Sequence, residues 1–320
     1  MKKVAFIFCL VFLFSKVAFA ECLPQSKTQI VKQRGYFVLS GNPANFDPCH
    51  SSVEFKTGRN LKEKKPLVIG VGGGGGKNDA KGAMAFFRDN GFATLEFDPY
   101  EMNGISDYKQ NIRAYSNPTR QRMIFPIAVG AVEWALKQDV IDNTRIYVWG
   151  ISNGATVVAN IAALFDKKQV KAVFSEAPTN AGMGMPDNLK TSLVLIFGKK
   201  DNYGSIKKDG WRWLDTTPCF KSISIVGAPT GNTTVCNSNS NRQSFTENHN
   251  SWFEKQKNKK ADIQIWFYED AAHGIFNPRL DWNSTRTTPT GVTFYSNEGA
   301  TNDVKEKYKK DLLKYIATQK

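Results

Sequence analysis

Residues 145–165 constrain this chain more than any other stretch. A β-branched and aromatic run, RIYVW, leads into Gly150-Ile151-Ser152-Asn153-Gly154 and then into ATVVANIAALF. The first run has the character of a buried strand and the last that of an apolar helix. A strand that passes into a helix within five residues, with a glycine on each side of the turn, is half of a crossover unit. Such units build parallel sheets covered by helices.

The remaining pattern agrees. Strands are predicted at 36–39, 66–71, 93–97, 145–149, 170–174, 192–197 and 262–268, and helices at 79–90, 120–138, 155–165 and 302–318. The 120–138 segment places Ile124, Ile127, Ala128, Ala131, Trp134 and Ala135 on one face. Residues 98–118 are expected to form a polar loop. The fold class is therefore α/β, doubly wound, with a mostly parallel sheet. Between the strand at 192–197 and the last one lies a stretch rich in Asn, Ser, Thr and Gly, which suggests a lid-like insert over residues 204–260.

The N-terminus, MKKVAFIFCLVFLFSKVAFA, has a lysine pair, a short apolar run and an Ala-Phe-Ala ending. It is expected to be a signal peptide, residues 1–20, because the apolar run is too short to span a bilayer. Residues 21–320 then form a single domain, periplasmic or secreted. Four cysteines remain after such a leader: Cys22, Cys49, Cys219 and Cys236. An even number in an exported chain suggests disulfides, and proximity favours Cys22–Cys49 and Cys219–Cys236, with free thiols as the alternative.

With 41% hydrophobic and 22% charged residues, the chain is neither disordered nor fibrous. Its net charge of +14 becomes +11 without Lys2, Lys3 and Lys16 of the leader, and the basic surface is dominated by scattered lysine runs at 62–65, 257–260 and 305–310. Such runs are usually solvated faces, and no nucleic-acid-binding motif accompanies them. Peripheral attraction to anionic envelope components stays open.

Two glycine motifs compete for the functional role. Gly70, Gly72 and Gly75 satisfy G-x-G-x-x-G after a strand, with Glu96 at the end of the next one, which is formally a dinucleotide fingerprint. A run of five glycines satisfies almost any glycine spacing, however, so the match discriminates weakly. Val71 and Asn78 rule out a phosphate-binding Walker loop. The second motif, Gly150-x-Ser152-x-Gly154, sits in the strand–turn–helix context of a nucleophile elbow. A serine hydroxyl needs a base, and the base needs an orienting acid. Of the three histidines His50, His249 and His273, only His273 follows the last predicted strand. Asp201 follows the strand before it, and on its own it would pass for a turn acid or a helix cap. The chain order Ser152, Asp201, His273 suits a triad on a parallel sheet.

The stretches GISNGA, FGKKD and AAHGIF carry a resemblance to the α/β-hydrolases over roughly residues 66–280, closest to the dienelactone hydrolase and small polyester or acetyl esterase group. That resemblance implies carboxylic ester hydrolysis through an acyl-enzyme, on a small-molecule or polymer ester. No cofactor is expected, since three scattered histidines and the lack of an H-E-x-x-H motif leave little to coordinate a metal. It also implies oxyanion-hole N–H groups from Gly72 or Gly73 together with Asn153. Val71 stands where the family often has histidine. Two roles are open for Trp211, Trp213 and Phe220: walling the substrate site or packing the insert. The rival functions are a hydrolase-fold binding or scaffolding protein without turnover and a dinucleotide-binding protein.

Overall fold

The protein is described by a computed structural model over residues 29–33, 36–57, 63–105, 115–179, 182–211, 213, 249–287 and 291–319. Residues 1–20, Cys22, Cys219, Cys236, Phe220 and most of the insert lie outside the described residues. Cys49 is disulfide-bonded.

A seven-stranded sheet forms the middle layer. Two hairpin strands, β1 (Gln29–Gln33) and β2 (Tyr36–Ser40), stand apart from it. The sheet comprises β3 (Glu54–Lys56), β4 (Lys65–Val71), β5 (Ala93–Glu96), β6 (Ile141–Ile151), β7 (Ala172–Glu176), β8 (Ser192–Gly198) and β9 (Ile263–Tyr268), in the order β3-β5-β4-β6-β7-β8-β9. Only the edge strand β3 runs antiparallel. The chain winds outward from β4 to β5, then crosses back to β6 and winds the other way. The carboxyl ends of β4 and β6 therefore flank the switch point, where ligands of such sheets bind.

Alternation along the strands makes two cores. Leu67, Ile69, Ile146, Val148, Leu193 and Leu195 face one cluster, which the helices α3 (Asn117–Ala135) and α4 (Asn153–Leu164) complete. Val68, Tyr147, Trp149, Phe174, Val194 and Ile196 face the other, closed by α1 (Lys81–Asp89) and α6 (Asn302–Thr318). Helix α4 is buried from Asn153 to Ala163, which is why its sequence is apolar or small on every side. Among the described residues, no helix is long and apolar enough to cross a membrane.

Several predicted elements are revised. The 79–90 helix divides into a 3-10 turn, Gly76–Asp79, and α1. Strand 36–39 belongs to the separate β1–β2 hairpin rather than to the sheet. The predicted loop at 98–118 opens with a buried turn, α2 (Pro99–Met102), because the Asp98 carboxylate accepts the N–H groups of Tyr100 and Glu101. Helix α5 (His249–Asn258) ends the insert region, and a hairpin of β10 (Thr285–Thr287) and β11 (Thr293–Tyr295) follows β9. Three-residue strands such as β3, β10 and β11 are too short to show a period.

Glu96, the acid of the dinucleotide reading, is committed elsewhere. It is buried, and Arg88 Nη1 donates to it at 2.5 Å and to Thr94 Oγ1 at 3.2 Å, tying α1 to β5. Removing one partner of a buried ion pair strands the other charge. Arg88→Ala is therefore expected to cost about 3 kcal/mol in urea unfolding; a loss near zero would mean that Glu96 is solvated and available.

Candidate active site

The parallel registers Val71↔Gly150 and Ile151↔Glu176 bring the ends of β4, β6 and β7 together. Ser152 sits immediately past β6 with φ 58° and ψ −120°, a conformation that costs a non-glycine residue about 1–3 kcal/mol. Its N–H is held by the Glu176 carbonyl at 2.9 Å, and its own carbonyl accepts Thr156 N–H at 3.2 Å. The side chain does not cap α4, so the hydroxyl is not drawn back into the helix end. Gly154 makes the turn sterically feasible: a Cβ there would lie 2.3 Å from the Val71 carbonyl oxygen and 2.4 Å from that of Gly72.

The glycine run after β4 meets this turn. A Cβ on Gly72 would strike the Gly76 carbonyl oxygen, so that residue faces its own loop. A Cβ on Gly73 would lie 2.8 Å from Ser152 Cβ, so Gly73 is the glycine against the serine. Its carbonyl is fixed by the Tyr100 hydroxyl at 3.0 Å and by Gly76 N–H at 3.3 Å. Asn153, at the start of α4, is clamped through its side chain: Gln121 Nε2 donates to Oδ1 at 3.1 Å, and Nδ2 donates to Asn117 Oδ1 at 3.2 Å.

Asp201 and His273 arrive from the carboxyl ends of β8 and β9. Asp201 is fully buried, and its Oδ2 lies 3.0 Å from His273 Nδ1; Oδ1 accepts Tyr203 N–H at 2.9 Å. The Tyr203 ring stacks on the imidazole with centroids 4.4 Å apart. The segment before α6 fastens the histidine loop, since the Asn297 carbonyl accepts His273 N–H at 3.1 Å and Gly299 N–H donates to the His273 carbonyl at 3.0 Å. The other histidines lie elsewhere. His50 bonds Ser52 in an N-terminal turn, and His249 is buried among Phe197 and Trp213.

Trp211 and Trp213 both make packing contacts with the outer strands. Trp213 is 4% exposed, and its indole packs on Phe197, Phe253 and Phe267. Trp211 packs on Phe267 and donates its indole N–H to the Gly198 carbonyl at 3.1 Å. Through these contacts both bind the insert to β8 and β9. Their aromatic surface satisfies the apolar face of the outer strands, and a sequence cannot distinguish that use from ligand contact.

Sequence reasoning missed Glu176, the last residue of β7. Its carbonyl holds Ser152 N–H, while its carboxylate accepts Ile275 N–H at 2.5 Å and the Tyr308 hydroxyl at 2.9 Å. Trp149 Nε1 in turn donates to the Tyr308 oxygen at 3.0 Å. One residue thus braces the serine turn with its main chain and the histidine loop with its side chain. Burial pushes the carboxyl up to about 7; the Ile275 and Tyr308 hydrogen bonds oppose the rise, and Asp201 adds to it.

Because the folded state holds this proton more tightly than the unfolded chain, the stability linked to it is complete below the ordinary value of 4.5 and lost as pH rises through about 7. Relative to Glu176→Gln, the wild type is expected to lose about 3 kcal/mol of unfolding free energy between pH 4.5 and pH 8. Urea denaturation of both proteins across that range is the check. A difference that does not change with pH would place the carboxyl in an ordinary, solvated state.

Comparison with known proteins places this geometry in a family. A 90-residue stretch is 34% identical to an Escherichia coli protein described as the uncharacterized 31.7 kDa protein in the traX-finO intergenic region, and the match covers 28% of each chain. A solved Klebsiella pneumoniae structure assigned to the dienelactone hydrolases superposes with a TM-score of 0.53 at 12% identity, covering 91% of this chain and 97% of that one, which shows a shared α/β-hydrolase fold. Residues 84–288, more than half of the chain and including Ser152, Asp201 and His273, match the prolyl oligopeptidase family model. The chain therefore belongs to the prolyl oligopeptidase family of α/β-hydrolase-fold proteins.

Proposed function

We propose that this protein is a serine hydrolase that cleaves carboxylic esters through an acyl-enzyme on Ser152. The observation that carries the reading is the 3.0 Å contact between buried Asp201 and His273 Nδ1, on the same sheet edge as the strained Ser152 turn. In this scheme Ser152 Oγ attacks the acyl carbonyl and its proton passes to His273 Nε2. Asp201 accepts Nδ1–H, fixing the tautomer and stabilising the imidazolium. The N–H groups of Asn153 and Gly73 receive the oxyanion, each worth about 3–4 kcal/mol in the transition state. The alcohol leaves with the proton from His273. A water molecule, deprotonated by His273, then attacks the acyl carbonyl and releases Ser152 and the acid.

An ester is favoured over a peptide by the likeness of GISNGA, FGKKD and AAHGIF to small esterases. The family also contains peptidases by name, so the two substrate classes are tested side by side. Hydrolysis of p-nitrophenyl acetate and butyrate is expected in the wild type, with kcat reduced at least about a thousandfold by Ser152→Ala. Cleavage of aminoacyl p-nitroanilides without ester turnover would reverse the substrate assignment. Undiminished ester turnover by Ser152→Ala would remove the serine from the mechanism.

The same proposal has the chain exported, with cleavage after Ala20 and pairings Cys22–Cys49 and Cys219–Cys236. Support comes from the leader pattern and from the bonded state of Cys49, which suits an oxidising compartment. Peptide mapping without reduction tests both pairings, and a Cys49 peptide joined to any cysteine other than Cys22 would refute this connectivity.

A further inference from the structure

The amino edge of the sheet, opposite the candidate active site, carries a cleft of about 230 Å³. Lys190 leads into β8 and Asp262 into β9, so the cleft stands the length of β8, about 20 Å, from the Asp201 end of the sheet. Its charged walls are four lysines, Lys167, Lys190, Lys259 and Lys260, and one acid, Asp262. That acid is answered by Lys167 and by the Ser192 hydroxyl, which donates to it at 2.7 Å. Lys259 Nζ donates to the Asp187 carbonyl at 2.7 Å and to Asn188 Oδ1 at 3.2 Å, and Lys190 Nζ donates to the Leu164 carbonyl at 3.4 Å. Those acceptors are neutral, so they hold the ammonium groups in place without cancelling their charge. Outside the cleft, the Asp187 carboxylate pairs with Lys255, and Asp166 accepts the N–H of Lys168.

Ordinary folding accounts for part of this charge. The carboxyl ends of α4 and α5 meet here, and cations near a helix C-terminus complement its dipole. The two dipoles supply about half a negative charge each and Asp262 supplies one, so four ammonium groups leave a surplus of about two positive charges. Two further features work against stability. Gln256 is fully buried in the cleft wall, and its Nε2 donates to the Pro186 and Asp187 carbonyls, but its Oε1 finds no hydrogen-bond donor among the described residues. A buried acceptor without a donor keeps the cost of its lost hydration. Lys260, just past α5, has φ 57°, where glycine is the ordinary helix terminator and any Cβ is strained.

We propose that this cleft binds a phosphate monoester that carries a neighbouring hydroxyl, with a sugar phosphate as the class that fits. A phosphate monoester bears about two negative charges at neutral pH and accepts several N–H donors, which matches the surplus of ammonium groups. The hydroxyl supplies the donor that Gln256 Oε1 lacks. The volume lies below the range of about 300–1,000 Å³ used for drug-sized ligands, so it admits one small unit and not a peptide segment. The inference does not depend on Ser152 being a nucleophile. A ligand held at the amino edge leaves the carboxyl edge open.

The test is isothermal titration calorimetry on the full-length protein near neutral pH and at physiological ionic strength, where diffuse attraction between exposed charges is screened. Glucose 6-phosphate is expected to bind saturably at one site, ethyl phosphate more weakly, and glucose without measurable heat. Lys260→Gly relieves the strained backbone, so it is expected to unfold no earlier than the wild type on heating. The same variant should weaken glucose 6-phosphate binding about tenfold, the usual worth of one charge-assisted hydrogen bond, while leaving ester turnover unchanged. Absence of saturable binding by glucose 6-phosphate overturns the site. Equal affinity for ethyl phosphate and glucose 6-phosphate overturns the ligand class, and undiminished binding by Lys260→Gly overturns the placement in this cleft.

Discussion

The site depends on a contact that only a hydrogen atom can make. Gly154 lies against the carbonyls of Val71 and Gly72, so the first turn of α4 and the carboxyl end of β4 approach more closely than any Cβ would allow. That approach fixes where β6 must end and forces Ser152 into positive φ. It also brings the glycine run of the neighbouring strand to the serine. The strain is local, and the support is spread over β4, β6, β7 and α4, which is how a scaffold keeps an unfavourable conformation populated.

From there the structure builds outward through Glu176. Its carbonyl secures the serine turn, and its carboxylate secures the loop that carries His273. Tyr308 and Trp149 extend the same network into the second core, so α6 at the C-terminus takes part in holding the histidine loop. Asp201 and Tyr203 then set the imidazole from the other side. Three acids thus lie close to the serine: Asp201 paired with histidine, Glu176 bound to backbone and tyrosine, and Asp79 lying across the glycine loop, where it accepts Gly75 N–H. Burial raises the proton affinity of both Glu176 and Asp79, and perturbed acids of this kind are common where acid–base chemistry is organised.

How much of this was legible in the sequence follows from how local each feature is. The turn at Ser152 was readable because its strand, glycines and helix are contiguous, and the doubly wound architecture was readable from the alternation of strands and helices. His273 and Asp201 were readable because only one of three histidines follows the last sheet strand, and an acid ends the strand before it. The glycine run was not decisive: five identical residues cannot say which one meets the serine, and only the space around each Cβ distinguishes Gly73 from Gly72. Glu176, Tyr203 and Asn297 left no signal, since their partners lie far away in the chain. Trp211 and Trp213 were ambiguous because an aromatic residue that packs an edge and one that lines a cleft look the same in a string. Asp79 was visible only as the last residue before a helix.

The central claim is that the serine in the strained turn is an activated nucleophile. Tandem mass spectrometry of peptides from protein treated with a fluorophosphonate tests it most directly. The account predicts a single adduct on the Ser152 hydroxyl, formed in the wild type and lost when His273 is replaced by alanine. An adduct on any other residue, or one on Ser152 that forms equally fast without His273, would contradict it.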